Sequence, residues 1–129
     1  MQVIIAGCGS LGSVFAAALV RSGEQVQVYQ RRGATFDALR RQGGVRLIPA
    51  ESDAPENYPV ERVTDDSGDL EPADLIIVLV KAYSTKELEP LGVALKEDGA
   101  VLTLQNGMGN AETLAEFFGA EKVAAGVAT

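Results

Sequence analysis

The sequence predicts an α/β fold in which a doubly wound, mostly parallel sheet carries helices on both faces. Two observations support this. Strand-like and helix-like segments alternate along the chain, and residues 3–6 and 75–80 are apolar at every position. Strands that are apolar on both faces are typical of the buried centre of a parallel sheet. The 129 residues are 47% hydrophobic, which is enough for one folded domain with its own core.

Local patterns place the individual elements. A helix is expected from Ser10, where apolar residues recur at helical spacing until Gly23 ends it. The pattern Ser84-x-x-Glu87 is a capping box that opens a later helix, with Pro90 near its start or at a kink. Two further helices are expected over residues 34–42 and 111–118. Strands are expected over residues 3–6, 25–30, 45–48, 60–63, 75–80, 100–104 and 123–127.

Composition excludes several functional classes. The net charge of −7 argues against a nucleic-acid partner, because phosphate binding needs a basic face. Residues 51–74 hold nine of the 18 acidic residues and are interpreted as a solvated surface excursion. With no His and one Cys, the chain has no His/Cys zinc site, internal disulfide or His-dependent triad, so no metal is expected. The reducing cytoplasm is the expected compartment.

The N-terminal segment has the length of a membrane span, since residues 3–20 carry no charge. However, no Lys or Arg precedes Cys8, and glycines and serines interrupt the run over residues 7–13. We therefore predict a buried strand, a turn and a buried helix face here, and no membrane partner.

The segment Gly7-Cys8-Gly9-Ser10-Leu11-Gly12 matches the pattern G-x-G-x-x-G between a predicted strand and a predicted helix. In a dinucleotide-binding Rossmann-like fold, the first glycine permits the tight turn, the second lets the backbone approach a pyrophosphate, and the third lets the helix pack on the strand. Amides at the helix N-terminus would hold the phosphates. The alternative is an ordinary turn between strand and helix. Packing is the expected role of Cys8 itself.

The end of the second strand distinguishes between coenzymes. An acid that binds the ribose hydroxyls of NAD is expected about 20 residues after the glycines, but the chain has Tyr29-Gln30-Arg31-Arg32 there. Guanidinium groups suit a 2′-phosphate, so NADP is predicted rather than NAD. The alternative is that both arginines are solvated at a helix start, where the helix dipole does not favour cations.

Two further segments follow predicted strands: Val80-Lys81-Ala82-Tyr83-Ser84-Thr85 and Leu104-Gln105-Asn106-Gly107-Met108-Gly109-Asn110. Together with Gly7 to Gly12 and Arg31, they resemble the ketopantoate reductase (2-dehydropantoate 2-reductase) family. The resemblance covers essentially the whole chain, residues 1–129, but only the family's N-terminal, NADP-binding Rossmann domain.

The resemblance implies an oxidoreductase that reduces ketopantoate to pantoate with NADPH, on the route to pantothenate and coenzyme A. It implies that Gly7 to Gly12 hold the pyrophosphate, that Arg31 holds the 2′-phosphate and that Lys81 lies at the cofactor. Asn106 matches an asparagine that touches both nicotinamide and substrate. Lys81 and Asn106 also follow strand ends, where ligands bind in open α/β sheets. A surface lysine and a plain Asn-Gly turn are the alternatives.

The family's helical second domain, with its catalytic lysine and most substrate-binding residues, has no match in this chain. No catalytic residue is therefore assigned here, and little turnover is expected from the chain alone. Two other functions stay open: a free-standing NADP-binding or sensing module, and the cofactor domain of another two-domain 2-oxo acid dehydrogenase. An apolar face that normally meets a partner domain would promote association, so a homo-oligomer is expected at high concentration.

Overall fold

The computed structural model describes residues 1–48, 54–80, 82–104 and 110–126, without the side chains of residues 82–84. The strands in these ranges are β1 (Gln2–Ala6), β2 (Gln25–Tyr29), β3 (Gly44–Leu47), β4 (Glu56–Pro59), β5 (Arg62–Thr64), β6 (Ala73–Val78), β7 (Leu95–Thr103) and β8 (Val123–Ala125). The α-helices are α1 (Ser10–Arg21), α2 (Ala34–Gln42) and α3 (Asn110–Phe118). Short 3₁₀ helices span Ser67–Asp69 and Ala120–Lys122, and a longer one spans Ala82–Ala94.

Six strands form one sheet in the order β5-β2-β1-β6-β7-β8. Every pairing within it is parallel. Numbered among themselves along the chain, these strands lie in the order 3-2-1-4-5-6, which is that of a Rossmann-like doubly wound sheet. The predicted fold class is confirmed. The order reverses between β1 and β6, so a crevice opens there at the carboxyl ends of the strands.

Apolar residues cover both faces of the sheet. Val3, Ile5 and Ile77 belong to the core on one face, with α1 and α2, whereas Ile4 and Ile76 belong to the core on the other face, with α3. This division follows from the two-residue period of a strand, which sends neighbouring side chains to opposite faces. The all-apolar strand runs of the sequence are therefore explained by burial on both sides.

The first β-α-β unit matches its prediction closely. β1 and β2 pair in parallel from Gln2 opposite Gln25 to Ala6 opposite Tyr29. α1 ends at Arg21 with Ser22 as its C-cap, and Gly23, the predicted terminator, follows with a φ of +87° in the left-handed region. The Gly23 N–H donates to Val20 O at 3.0 Å and the Glu24 N–H donates to Leu19 O at 3.0 Å, which are the two bonds of a Schellman motif.

The segment between α2 and β6 differs from its prediction. β3 does not join the main sheet but pairs antiparallel with β4, a strand the sequence analysis did not predict. The expected strand at residues 60–63 is β5, which begins at Arg62 and lies at the edge of the main sheet. The acidic excursion is therefore partly ordered structure. Asp74, for example, accepts hydrogen bonds from the Gln2 backbone N–H at 2.8 Å and from Lys96 Nζ at 3.1 Å.

The helix after β6 also differs. Residues Ala82–Ala94 form a 3₁₀ helix rather than an α-helix, and Pro90 lies in its later part rather than near its start. Proline has no N–H to donate to the preceding turn, which disfavours a regular α-helix at this position. Among the described residues, no helix has both the length and the apolar character needed to cross a bilayer.

β2 carries a buried polar side chain that the sequence analysis did not single out. Gln27 is fully buried, and its amide nitrogen donates to Gln2 Oε1 at 3.1 Å and to Glu71 O at 3.0 Å. Its Oε1 accepts from the Glu71 N–H at 2.9 Å. Every polar atom of this amide therefore has a partner, as a buried polar group requires.

Candidate nucleotide site

A cavity of about 530 Å³ opens where the strand order reverses. Its walls come from the segments that follow β1, β2, β5 and β6, together with one side of the 3₁₀ helix Ala82–Ala94. The lining residues are Gly7, Cys8, Gly9, Tyr29, Gln30, Arg31, Arg32, Asp65, Leu79, Val80, Glu87 and Leu88. The topology therefore brings Gly7, Cys8 and Gly9 and the two arginines into one cavity, whereas Ser10, Leu11 and Gly12 of the predicted set are not among its lining residues.

The glycines of the turn have different surroundings. Gly7 has a φ of +93°, and a Cβ on it would lie 2.7 Å from Val80 N. A Cβ on Gly12 would lie 2.6 Å from Gly7 O, so only glycine lets α1 pack this closely against the turn. A Cβ on Gly9 would meet no atom of the described residues within 4 Å. Packing explains Gly7 and Gly12, whereas the space beside Gly9 is open to a ligand.

The start of α1 is suited to an anion. Gly9 is the N-cap residue and offers no side chain to the helix amides, and no acidic residue lies in the first turn. The first amides of a helix have no partners within it and carry partial positive charge. Gly9, Ser10 and Leu11 are exposed, so a phosphate group can reach these amides.

Arg31 and Arg32 extend from the segment between β2 and α2, and both side chains are about two-thirds exposed. Each faces a carboxylate. Arg31 Nη1 lies 3.7 Å from Glu87 Oε1, and Arg32 Nε lies 2.9 Å from Asp65 Oδ2. The Arg32 guanidinium also stacks over the Phe36 ring at 5.0 Å. The cavity therefore holds two exposed cationic groups whose present partners are solvent-accessible acids.

Glu87 has a role that its sequence pattern did not predict. The capping-box interpretation assigned Glu87 to the start of its own helix, and its carboxylate also lies 3.7 Å from the Arg31 guanidinium. The side chain of Ser84 lies outside the described residues. The sequence analysis also missed Tyr29, Gln30, Asp65 and Val80 as lining residues. Their positions at or just after strand ends were the available signal, because ligands bind at that edge of such a sheet.

Two residues that line the cavity, Cys8 and Tyr29, have raised pKa values. Burial raises the pKa of the Cys8 thiol, and its hydrogen bond with Ser13, at 3.7 Å between Sγ and Oγ, partly opposes this. A buried thiol of this kind is a poor nucleophile, which agrees with the packing role expected of Cys8. Burial, followed by the charges of Asp65, Asp66 and Glu87, raises the pKa of Tyr29, so its hydroxyl stays protonated at neutral pH.

Two predicted site residues, Lys81 and Asn106, lie outside the described residues. Their roles stay predictions. Among the residues that are described, no group of three or more Cys, Asp or Glu side chains is placed to hold a metal ion.

Fold and site together define a class: a Rossmann-like α/β domain with a nucleotide-sized crevice at its topological switch point. Within that class, residues 3–129 match the family "Ketopantoate reductase PanE/ApbA". The chain belongs to the ketopantoate reductase family, and the resemblance drawn from the sequence is confirmed.

Individual relatives agree. The chain is 34% identical to a 2-dehydropantoate 2-reductase of Halobacterium salinarum, over 100% of this chain and 42% of the relative. It is also 34% identical to one of Archaeoglobus fulgidus, over 99% of this chain and 39% of the relative. The chain thus spans about two fifths of the length of these relatives, in their N-terminal part.

Solved structures are similar as well. A ketopantoate reductase of this family from Ralstonia eutropha superposes with a TM-score of 0.80 at 31% identity, over 97% of this chain and 40% of that one. A D-mandelate dehydrogenase in complex with NADH and anilino(oxo)acetate superposes with a TM-score of 0.81 at 27% identity, over 98% of this chain and 40% of that one.

Proposed function

We propose that this chain is the NADPH-binding domain of an oxidoreductase that reduces 2-dehydropantoate to pantoate in the cytoplasm. The observation that carries the proposal is the shared cavity of the glycine-rich turn, the uncapped start of α1 and the two guanidinium groups after β2. The first two features suit a pyrophosphate, and the third suits a phosphate on the adenosine ribose. The family membership supports the substrate, since curated relatives are named for this reaction.

The residues that line the cavity suit both the pyrophosphate and the 2′-phosphate of NADPH. The space beside Gly9 admits a phosphate close to the backbone, and the amides of Ser10 and Leu11 are positioned to receive it. Arg31 and Arg32 would hold the 2′-phosphate after exchanging their carboxylate partners for it. Bound NADPH supplies the hydride, and this chain binds and orients the coenzyme. By resemblance, Lys81 would lie at the coenzyme, and Asn106 at the nicotinamide and the substrate.

A proton must reach the developing alkoxide when a carbonyl is reduced. We assign no described residue of this chain to that step, since the family's proton-donor lysine belongs to the second domain. The chain alone should therefore bind NADPH and show little or no turnover of 2-dehydropantoate. Addition of the second domain should restore turnover.

The similarity to D-mandelate dehydrogenase favours a second candidate, the cofactor domain of another 2-oxo acid dehydrogenase. That protein was solved with NADH, whereas the arginines of this chain favour NADPH. Two measurements separate the candidates. The first is the preference of the chain for NADPH or NADH, and the second compares different 2-oxo acids as substrates of the two-domain protein.

The direct test is a fluorescence titration of the chain with NADPH and with NADH. Replacing Arg31 by alanine removes a charge-assisted contact worth about 1.5–3 kcal/mol, so NADPH affinity should fall by about tenfold or more. NADH affinity should change little. Arg41→Ala is the matched control, because Arg41 is exposed in the last turn of α2 and does not line the cavity. Equal losses for both coenzymes in Arg31→Ala would overturn the assignment.

A further inference from the structure

The side chain of Gln30 joins the end of β2 to the glycine-rich turn. Its Oε1 accepts a hydrogen bond from the Cys8 backbone N–H at 2.7 Å, across 22 residues of sequence. The Gln30 backbone N–H donates to Thr64 O at 3.0 Å, which fixes the residue against the end of β5. Gln30 is half-buried and lines the cavity. The conformation of the turn at Cys8 is therefore held by a side chain from the neighbouring strand.

The position of Gln30 in the fold bears on the choice between NADP and NAD. It follows β2 directly, where dinucleotide-binding folds specific for NAD place an acid against the ribose hydroxyls. A carboxylate there accepts hydrogen bonds and repels a phosphate. In Gln30 the acceptor oxygen is engaged by Cys8, and its Nε2 has no protein partner within the described part of the chain. Gln30 therefore brings two N–H donors and no negative charge to the lining of the cavity, which Arg31 also lines.

We propose that Gln30 is a positioning and specificity-determining residue. As a positioning residue, it holds the glycine-rich turn through the Cys8 N–H. As a specificity residue, it favours a phosphorylated ribose, because it places amide donors where NAD-specific folds have an acidic side chain. The specificity role rests on the proposed function. The positioning role concerns the chain without coenzyme and does not depend on that function.

Two substitutions separate these roles. Gln30→Glu keeps an oxygen acceptor for the Cys8 N–H and adds a negative charge. Gln30→Leu replaces the amide by an apolar side chain of comparable size and removes both the acceptor and the two N–H donors. Gln25→Glu and Gln25→Leu are matched controls, because Gln25 is exposed at the far end of the same strand. Circular dichroism and melting temperature establish that each variant is folded.

The first readout is hydrogen exchange of the Cys8 amide, measured by NMR on the free chain. Losing a hydrogen bond worth about 1 kcal/mol should speed exchange in Gln30→Leu by about fivefold. Exchange in Gln30→Glu should match the parent. The second readout is the affinity for NADPH and NADH. Gln30→Leu loses the amide donors as well as the acceptor, so it should weaken both coenzymes and weaken NADPH by the larger factor. Gln30→Glu should lower the NADPH-to-NADH preference by about tenfold, as one charge-assisted contact allows.

Unchanged Cys8 exchange in Gln30→Leu would overturn the positioning role. Equal weakening of both coenzymes by Gln30→Glu would overturn the specificity role. If the parent chain binds neither coenzyme, the proposed function and the specificity role fail together. The exchange measurement still decides whether Gln30 holds the turn.

Discussion

Gly9 and Gly12 belong to one turn, but different neighbours account for each. In Gly12→Ala the added Cβ would press on Gly7 O, and overpacking of this kind costs about 1–3 kcal/mol of unfolding free energy. In Gly9→Ala the Cβ meets no atom within 4 Å in the part of the chain that the structure describes, so the unfolding free energy should change by less than about 1 kcal/mol. Gly9→Ala should nevertheless weaken NADPH binding, because its Cβ would occupy the space proposed for the phosphates.

Urea unfolding and NADPH titration of both variants check this pair. Each serves as the control of the other, since the chemical change is the same and the positions are three residues apart. A Gly9→Ala variant that is both fully stable and fully competent for NADPH would contradict the role given to the open space. A fully stable Gly12→Ala would contradict the packing explanation.

At the scale of elements, the 3₁₀ helix Ala82–Ala94 meets the end of β2 through Glu87 and Arg31. Both side chains are more than half exposed, so their attraction is modest. Because Glu87 competes with a phosphate for the guanidinium, Glu87→Gln should raise NADPH affinity by up to about fivefold, the equivalent of about 1 kcal/mol for an exposed pair. NADH affinity should stay the same.

Glu89→Gln is the control for this prediction, because Glu89 is exposed on the same helix and does not line the cavity. Isothermal titration at low salt and at about 1 M salt measures the effect, which should vanish at high salt, where charges are screened beyond about 3 Å. A gain that persists at high salt, or that appears equally with NADH, would contradict competition at Arg31.

Elements differ in how far the sequence predicts them. β1, α1, β2 and α2 follow from local patterns: apolar runs, helical spacing and terminal glycines. The β3–β4 hairpin was missed because β4, with the sequence Glu-Asn-Tyr-Pro, buries only Tyr58 and carries no apolar alternation. The 3₁₀ form of residues Ala82–Ala94 also has no clear local signature beyond Pro90.

Some residues of the candidate site could likewise be predicted from the sequence, and others could not. The turn glycines, Arg31 and Arg32 could be predicted, because a known local pattern assigns each a role. The partners Asp65 and Glu87 could not, since they reach the arginines only after the chain has crossed between strands. Such pairings depend on which strand ends become neighbours, and spacing along the sequence does not report this.

At the scale of the whole molecule, α1 presents an apolar surface to solvent. Leu11 is 41% exposed and Val14 is 54% exposed, and they lie three residues apart on one side of the helix. Neighbouring exposed apolar side chains promote association. The chain should therefore sediment with a concentration-dependent mass, and Val14→Gln should weaken this dependence.

Analytical ultracentrifugation over a range of concentrations tests this prediction. Val93→Gln is the control, because Val93 is 79% exposed but lies on a different segment. A monomer at every concentration would contradict the prediction, and an equal effect of both substitutions would show that α1 is not the surface involved.

The hydrogen bonds of the buried Gln27 amide help to fix the register of β2 as the sheet folds. A slip of one residue in the pairing of β2 would turn this side chain to the opposite face and separate it from Gln2 and Glu71. An amide stranded in hydrocarbon costs about 1–3 kcal/mol, so misaligned intermediates are disfavoured. Alternative alignments that a purely aliphatic strand would tolerate are thus removed during folding, at the strand whose end carries the arginines.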